Sequence, residues 1–425
     1  MPLPTIGFAG MTHLGLNSAV AGAERGFEMV CFDLDKNTIE ELLSGHPPVE
    51  EPDLKELMVK HKDRIRFTSN IEELANCDVV YVAPDIPTDD MGQSDLTVVN
   101  ELLQAVDDAL PISSVLVVLS QVPPGFSRGL NLREGRSYYY QVETLIFGRA
   151  IERALYPERY IIGCADPSKP LEASYEAFLS AHECPLLPMR YESAELAKIS
   201  INCCLVASVS VANTLAELCE NIGADWSEIV PALKLDRRIG QYSYLSPGLG
   251  ISGGNLERDL TTVCEFSDKF GTDSGIVKAW IANSRYRKDW VLRLLHQEVF
   301  SFLENPKFAV LGLSYKENTH STKNSPSLAL LKYLKDFEVA VHDPVVSANV
   351  LPNLDLRQVE EPVETCDGAD VLIIMTPWPI YRNLKPSDLL KSMRTKMIID
   401  PYRVLGGGAC RVAGARYFTL GVNDL

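Results

Sequence analysis

A chain of 425 residues, 46% apolar and 23% charged, has ordinary globular composition and length enough for two or three cores. Its formal net charge of -17 argues against nucleic acid or an anionic membrane as the principal partner, because phosphate-rich surfaces attract basic ones. No unbroken run of about 18 apolar residues marks a membrane span, and the start, Met1-Pro2-Leu3-Pro4, lacks the basic and apolar regions of a secretion signal.

The ten cysteines are scattered and none forms a CxxC pair. Cys203 and Cys204 are neighbours, between which a disulfide is strained. Reduced thiols in a cytoplasm are expected, and no Cys/His spacing suggests a metal.

In chain order, Thr5 to Ala9 is a short apolar run, followed by a glycine turn and a small-residue helix from about Leu14 to Arg25. A second strand, Glu28 to Phe32, ends at Asp33. Further strand-like runs are Val79 to Val82, Val115 to Leu119 and Tyr160 to Gly163, with helical patterns between them. This alternation predicts a parallel sheet in a doubly wound α/β domain. The pattern then turns helical: Ser193 to Ile222 reads as one long helix ending at Gly223, followed by Asp259 to Phe270 and about Thr272 to Leu303. Strands and helices alternate again over Phe308–Leu311, Pro326–Leu334, Glu338–His342, Val371–Met375 and Met397–Ile399. The reading is two Rossmann-like doubly wound domains, 1–190 and 304–425, joined by a long central helix and helical connector, 191–303.

The segment Gly10-Met11-Thr12-His13-Leu14-Gly15 lies between a strand and a helix, where a dinucleotide fingerprint belongs. Gly10 permits a tight turn and Gly15 close packing of helix on strand. The middle glycine is replaced by Thr12, whose Cβ would press on a pyrophosphate or whose hydroxyl would donate to it. Asp33, roughly 20 residues on, suits ribose hydroxyls and repels a 2′-phosphate, so NAD is expected over NADP. Lys198 and Asn202, spaced i,i+4, share one helix face in a mostly apolar stretch. Converging there, they could hold a water or an oxyanion.

Several motifs resemble the UDP-glucose/UDP-N-acetylmannosamine 6-dehydrogenase family along essentially the whole chain. They are Leu119-Ser120-Gln121-Val122-Pro123-Pro124-Gly125, Val142-Glu143-Thr144-Leu145-Ile146-Phe147-Gly148 and Ala194-Glu195-Leu196-Ala197-Lys198, with Asn202 following. Further along come Leu235-Asp236-Arg237-Arg238-Ile239-Gly240, the loop Ser246 to Asp259, Gly312-Leu313-Ser314-Tyr315-Lys316-Glu317-Asn318-Thr319 and Asp400-Pro401-Tyr402-Arg403. The resemblance implies a two-step oxidation of a sugar alcohol by NAD. It implies Lys198, Asn202, Asp259 and Glu143 in the active site, and Gln121 and Lys323 at the cofactor. Arg238, Tyr244, Gly248, Gly250, Lys316 and Arg403, with Lys198 and Asn202, would hold a nucleotide sugar, a UDP-sugar first of all. It also implies a homodimer through the long helix and the Leu235–Gly240 segment.

The chain departs from that family where it matters most. The family's nucleophilic Cys, four residues before the Asp of the loop, is Asn255 here. An amide nitrogen is no nucleophile at neutral pH, so the thioester route to an acid is closed. Cys203 and Cys204 are turned about 100° and 200° from Asn202 on their helix, away from the missing position. The family's other changed positions are Thr12, Gln121, Phe147 and Ser321-Thr322-Lys323. Three readings follow: an oxidoreductase stopping at the two-electron stage, a binding or regulatory relative without turnover, and a 6-phosphogluconate- or hydroxyacid-dehydrogenase-like enzyme. The second α/β domain and the Gly248–Gly254 loop disfavour the last.

Overall fold

The computed structural model describes residues 2–89 and 92–422 and divides into two compact units, Met1–Ile201 and Asn202–Leu425. The long helix Tyr191–Ile222 carries the boundary.

The first unit holds an eight-stranded sheet: β1 (Ile6–Ala9), β2 (Met29–Phe32), β3 (Ile65–Thr68), β4 (Val79–Val82), β5 (Val115–Val118), β6 (Tyr138–Gln141), β7 (Tyr160–Cys164) and β8 (Leu186–Arg190). The spatial order is β3-β2-β1-β4-β5-β6-β7-β8. Pairing is parallel as far as β6; β7 joins β6 antiparallel and β8 runs with β7. Side chains alternate between two cores. Ile6 and Phe8 enter one layer with Val79 and Tyr81, while Ala9, Val80 and Val82 enter the other. Burial on both faces explains why these strands are unbroken apolar runs.

The second unit holds an all-parallel sheet in the order β11-β10-β9-β12-β13-β14. Its strands are β9 (Phe308–Leu311), β10 (Val339–His342), β11 (Leu356–Gln358), β12 (Val371–Ile374), β13 (Met397–Ile399) and β14 (Arg416–Phe418). In both sheets the first strand lies between the second and the fourth, so each has a switch point at the carboxyl end of its first strand. Ligands of such folds bind at that place.

Two sequence expectations are corrected. The helix read from Thr272 to Leu303 is two helices, Gly275–Lys288 and Trp290–Glu298, meeting at Asp289; the second packs on the β9–β14 sheet through Trp290, Val291 and Leu295. The helix read from Asp259 starts at Asn255. The long helix contains an 18-residue window of mean hydropathy 1.6, which meets the length and composition of a membrane span as the core helix of a soluble protein also does. Scattered Ser and Asn break its apolar run without lowering that mean much.

Gly312 closes β9 at φ +99, and a Cβ there would lie 2.4 Å from Thr376 Cβ and 2.6 Å from Thr376 N. Gly312→Ala is expected to lower stability by about 2 kcal/mol or more. In a denaturant titration the midpoint should fall at unchanged slope; an unchanged midpoint would contradict the clash.

Candidate active site

In the first unit, β1 ends at Gly10 with φ +99, and a Cβ there would meet Pro84 N at 2.8 Å. A Cβ on Gly15 would lie 2.0 Å from Gly10 O, so the helix His13–Glu24 can approach the turn only without one. Met11 N donates to Asp33 Oδ2 at 2.7 Å, and Asp35 N to Asp33 Oδ1 at 2.9 Å. Asp33 remains half-exposed, with lone pairs to spare for a ribose. The Thr12 hydroxyl is engaged within the protein: it donates to Ala83 O at 3.2 Å and accepts from Asp85 N at 3.1 Å. Leu14 is buried in the core beneath the turn, and Gln121 is half-buried just past β5. The cradle left by the two glycines and the open face of Asp33 fit a dinucleotide.

His13 carries a side-chain cluster that sequence reasoning missed. Its Nε2 lies 2.9 Å from Glu51 Oε1, and its ring stacks on Phe147 at 4.0 Å between centroids. Glu51 also accepts from Gly148 N at 2.8 Å and Ala150 N at 3.2 Å. Burial pushes the Glu51 carboxyl up, but His13 and the two N–H groups outweigh it and hold it below the usual range. Glu195, also missed as a site group although it stands in a quoted motif, accepts from Gly125 N at 2.6 Å and Ser127 N at 2.8 Å. It thereby fixes the turn after Gln121, and burial raises its carboxyl.

Lys198 Nζ donates to Glu143 Oε2 at 3.1 Å and to Glu143 O at 3.0 Å. Both side chains are largely buried, with 14% and 18% of their area exposed. The pair is therefore a partly desolvated ammonium and carboxylate in contact, a unit able to hold a proton or orient a water.

In the second unit, one turn on along the same helix, Asn202 Nδ2 donates to Asp259 Oδ2. Arg258 Nε approaches Asp259 Oδ1 at 3.4 Å, and all three residues are buried. Asn255 is exposed at the first position of the helix Asn255–Phe270, preceded by Gly253 at φ +92 and Gly254 at φ +94. A Cβ on Gly253 would strike the Tyr315 ring at 2.6 Å, and one on Gly254 would lie 3.1 Å from Lys323 Cδ and Cε. Lys323 thus lies against the loop just before Asn255. Gly248 N donates to Asn213 Oδ1 at 2.8 Å, and Gly250, at φ +78, faces Ser284 O.

Other sequence candidates are placed differently. Lys316 Nζ sits 5.7 Å from the Tyr315 ring centroid. Arg238 is highly exposed and bonded to Asp236, and Tyr244 is half-exposed. Arg403 donates to Ser227 Oγ at 2.8 Å and Asp225 Oδ1 at 2.9 Å, tying the C-terminal segment to the helix Trp226–Leu235. The half-buried Cys203 thiol is pushed up to about 11 by burial and the Asp259 charge. It is therefore almost entirely protonated at neutral pH.

Three family models cover the chain in order. Residues 4–179 match the NAD-binding domain of the UDP-glucose/GDP-mannose dehydrogenase family, 192–285 its central domain and 309–407 its UDP-binding domain. A UDP-glucose 6-dehydrogenase of Rickettsia conorii is 28% identical over 434 residues, covering 98% of this chain and 99% of the relative. The structure of a UDP-glucose dehydrogenase from Pyrobaculum islandicum superposes with a TM-score of 0.87 at 27% identity, covering 99% of this chain and 98% of the other. A UDP-D-ManNAc dehydrogenase structure from Pyrococcus horikoshii shares the fold, with a TM-score of 0.84 at 22% identity over 99% of this chain and all of the other. With its three domains matched in order, the chain belongs to the UDP-glucose/GDP-mannose dehydrogenase family of NAD-dependent nucleotide-sugar dehydrogenases.

Proposed function

We propose that this protein oxidises an alcohol of a nucleotide sugar, a UDP-sugar first of all, by two electrons to the aldehyde or ketone level. NAD is the cofactor, and when bound it supplies the hydride acceptor. The observation that carries the reading is Asn255, an exposed amide at the head of the loop helix. No thiolate attack on an aldehyde can start there, and the neighbouring Cys203 thiol, at about 11, does not supply one. What the first oxidation needs is a group to take the hydroxyl proton. The Glu143–Lys198 pair offers it, and the Asn202 amide held by Asp259 offers a fixed donor to an oxygen.

In the same reading Gly10, Met11, Thr12, His13, Leu14, Gly15, Asp33, Gln121 and Lys323 serve the cofactor. Arg238, Tyr244, Gly248, Gly250, Lys316 and Arg403 serve the substrate. Arg403 reaches a phosphate only by giving up Asp225 and Ser227. A second reading, a nucleotide-sugar-binding homologue without turnover, is favoured by the apolar Phe147 beside the glycine turn. The ten free cysteines suit the cytoplasm expected for either.

Mass spectrometry of products from UDP-, GDP- and TDP-sugars with NAD should find one NADH per sugar and a product two hydrogens lighter. An acid with two NADH would refute the two-electron limit, and no NADH from any sugar would select the binding homologue. Asn255→Cys should gain the second NADH; its failure to do so would mean that more than the thiol has been lost.

We further propose a homodimer. Val211, Leu215, Leu218 and Ile222 form an exposed apolar stripe at spacings of four, three and four on the long helix, and Leu235, Ile239 and Tyr242 are also exposed. A second copy is the occupant chosen for this face, because the helix repeats apolar side chains at coiled-coil spacing. Light scattering should give twice the chain mass of 47.1 kDa, and Leu218→Glu should halve it at an unchanged melting temperature. A wild-type monomer would overturn the proposal.

A further inference from the structure

The glycine turn of the first unit has an occupant of its own. Past β4 the chain crosses directly over Gly10 and is pinned there by four bonds. Ala83 N donates to Ala9 O at 2.8 Å, and Thr12 Oγ1 to Ala83 O at 3.2 Å. Ser120 Oγ donates to Pro84 O at 2.5 Å, and Asp85 N to Thr12 Oγ1 at 3.1 Å. The backbone of residues 83–85 is therefore fixed against the first turn of the helix His13–Glu24. From that fixed point Asp85 lies beside the first turn of the helix, where the His13 imidazole and backbone N–H favour its charged form. That N–H is one of the first-turn donors without an intrahelical partner, at the positive end of the helix dipole. A dinucleotide's pyrophosphate takes the same position in this fold.

We propose that Asp85 is an internal anion that competes with the pyrophosphate of NAD for the first turn of this helix and so sets the protein's affinity for its cofactor. The proposal rests on the NAD-binding reading of the turn. The charged and titratable groups around it are few. His13 faces Asp85 from the helix and is itself paired with Glu51; Glu143 faces it from the segment after β6 and is paired with Lys198; Asp33 holds the neighbouring Met11 N–H. The protein packed around Asp85 raises its carboxyl even though the side chain is open to solvent, His13 and its N–H pull it down, and Glu143 pushes it up again.

A bound diphosphate adds like charge beside this carboxylate. Asp85 must then swing its side chain out, since its backbone is held, or take up a proton. The sign of the pH effect follows. The bound diphosphate raises the Asp85 pKa further, so the complex holds more protons than the free protein, and NAD affinity rises as pH falls. Asparagine at this position keeps the size and a side-chain oxygen and removes the charge.

The test is calorimetric titration of NAD into the full chain and into Asp85→Asn, from about pH 5.5 to about pH 8.5 at low salt, with melting temperatures recorded for both. Wild-type affinity should be higher at the acid end of this range than at the alkaline end. At about pH 8, Asp85→Asn should bind NAD about tenfold more tightly, with its pH dependence flattened. The wild-type pH series tests the idea even where the variant does not fold, and a flat series overturns it. Equal or weaker binding by a folded Asp85→Asn also overturns it, while leaving NAD binding by this turn intact. Absence of NAD binding by both proteins at every pH overturns the proposal and the cofactor reading together.

Discussion

A strand that ends inside a two-sided parallel sheet leaves the next backbone N–H groups buried and in need of partners. This chain meets that constraint twice with the same device. Gly10 and Gly312 both turn the backbone at φ +99, and a carboxylate from the next strand's end takes the freed donors. Asp33 takes Met11 N at 2.7 Å; Asp343 takes Leu313 N at 2.7 Å and Ser314 N at 3.1 Å. The two acids then diverge. Asp343 is buried and also accepts from Val345 N, Val346 N and Trp378 Nε1, which fills its lone pairs. Asp33 is half-exposed. The same topology thus leaves an open carboxylate in the N-terminal half and a closed structural clamp in the C-terminal half, the halves that match NAD-binding and UDP-binding domains respectively.

The long helix organises the rest by handing out polar side chains. Glu195 grips the turn at Gly125 and Ser127, Lys198 grips Glu143, Asn202 grips Asp259 and Asn213 grips Gly248 N. Near its end Glu217 and Glu220 receive Arg287, whose guanidinium is fully buried, with contacts of 3.3 and 3.6 Å. A buried charge without such contacts would cost several kcal/mol. Each grip lies within its own unit; those on Gly125, Glu143 and Gly248 fix loops, while those on Asp259 and Arg287 hold helices.

Much of this was legible in the sequence because it is local. The strand–turn–helix at Gly10, the acid at Asp33 and the length of the central helix all follow from neighbouring residues. What escaped is of two kinds. Short or exposed strands such as β6, β8 and β11 carry too little pattern, and the apolar periodicity runs through Asp289 although the helix does not. The other losses are long-range: Glu51 meets Gly148 from 97 residues away, and Arg403 finds Asp225 across 178. Asp85 was within reach of reasoning, since a residue just past the fourth strand faces the switch point once that strand lies beside the first.

The loop before Asn255 kept its glycines for reasons that have nothing to do with a nucleophile. Gly250 is pressed by Ser284, Gly253 by Tyr315 and Gly254 by Lys323, and each turns the backbone to positive φ. Replacing any of them costs packing whether or not a thiol follows, so the loop's shape is no evidence for chemistry. The Glu143–Lys198 contact and the Asn202–Asp259 bond are different. Burying an ammonium with a carboxylate is often neutral or unfavourable compared with apolar residues of the same size. Folding alone therefore gives little reason to keep such groups. A buried ammonium–carboxylate contact and a buried amide–carboxylate bond are groups that can hold a proton or fix an oxygen, which packing alone does not call for.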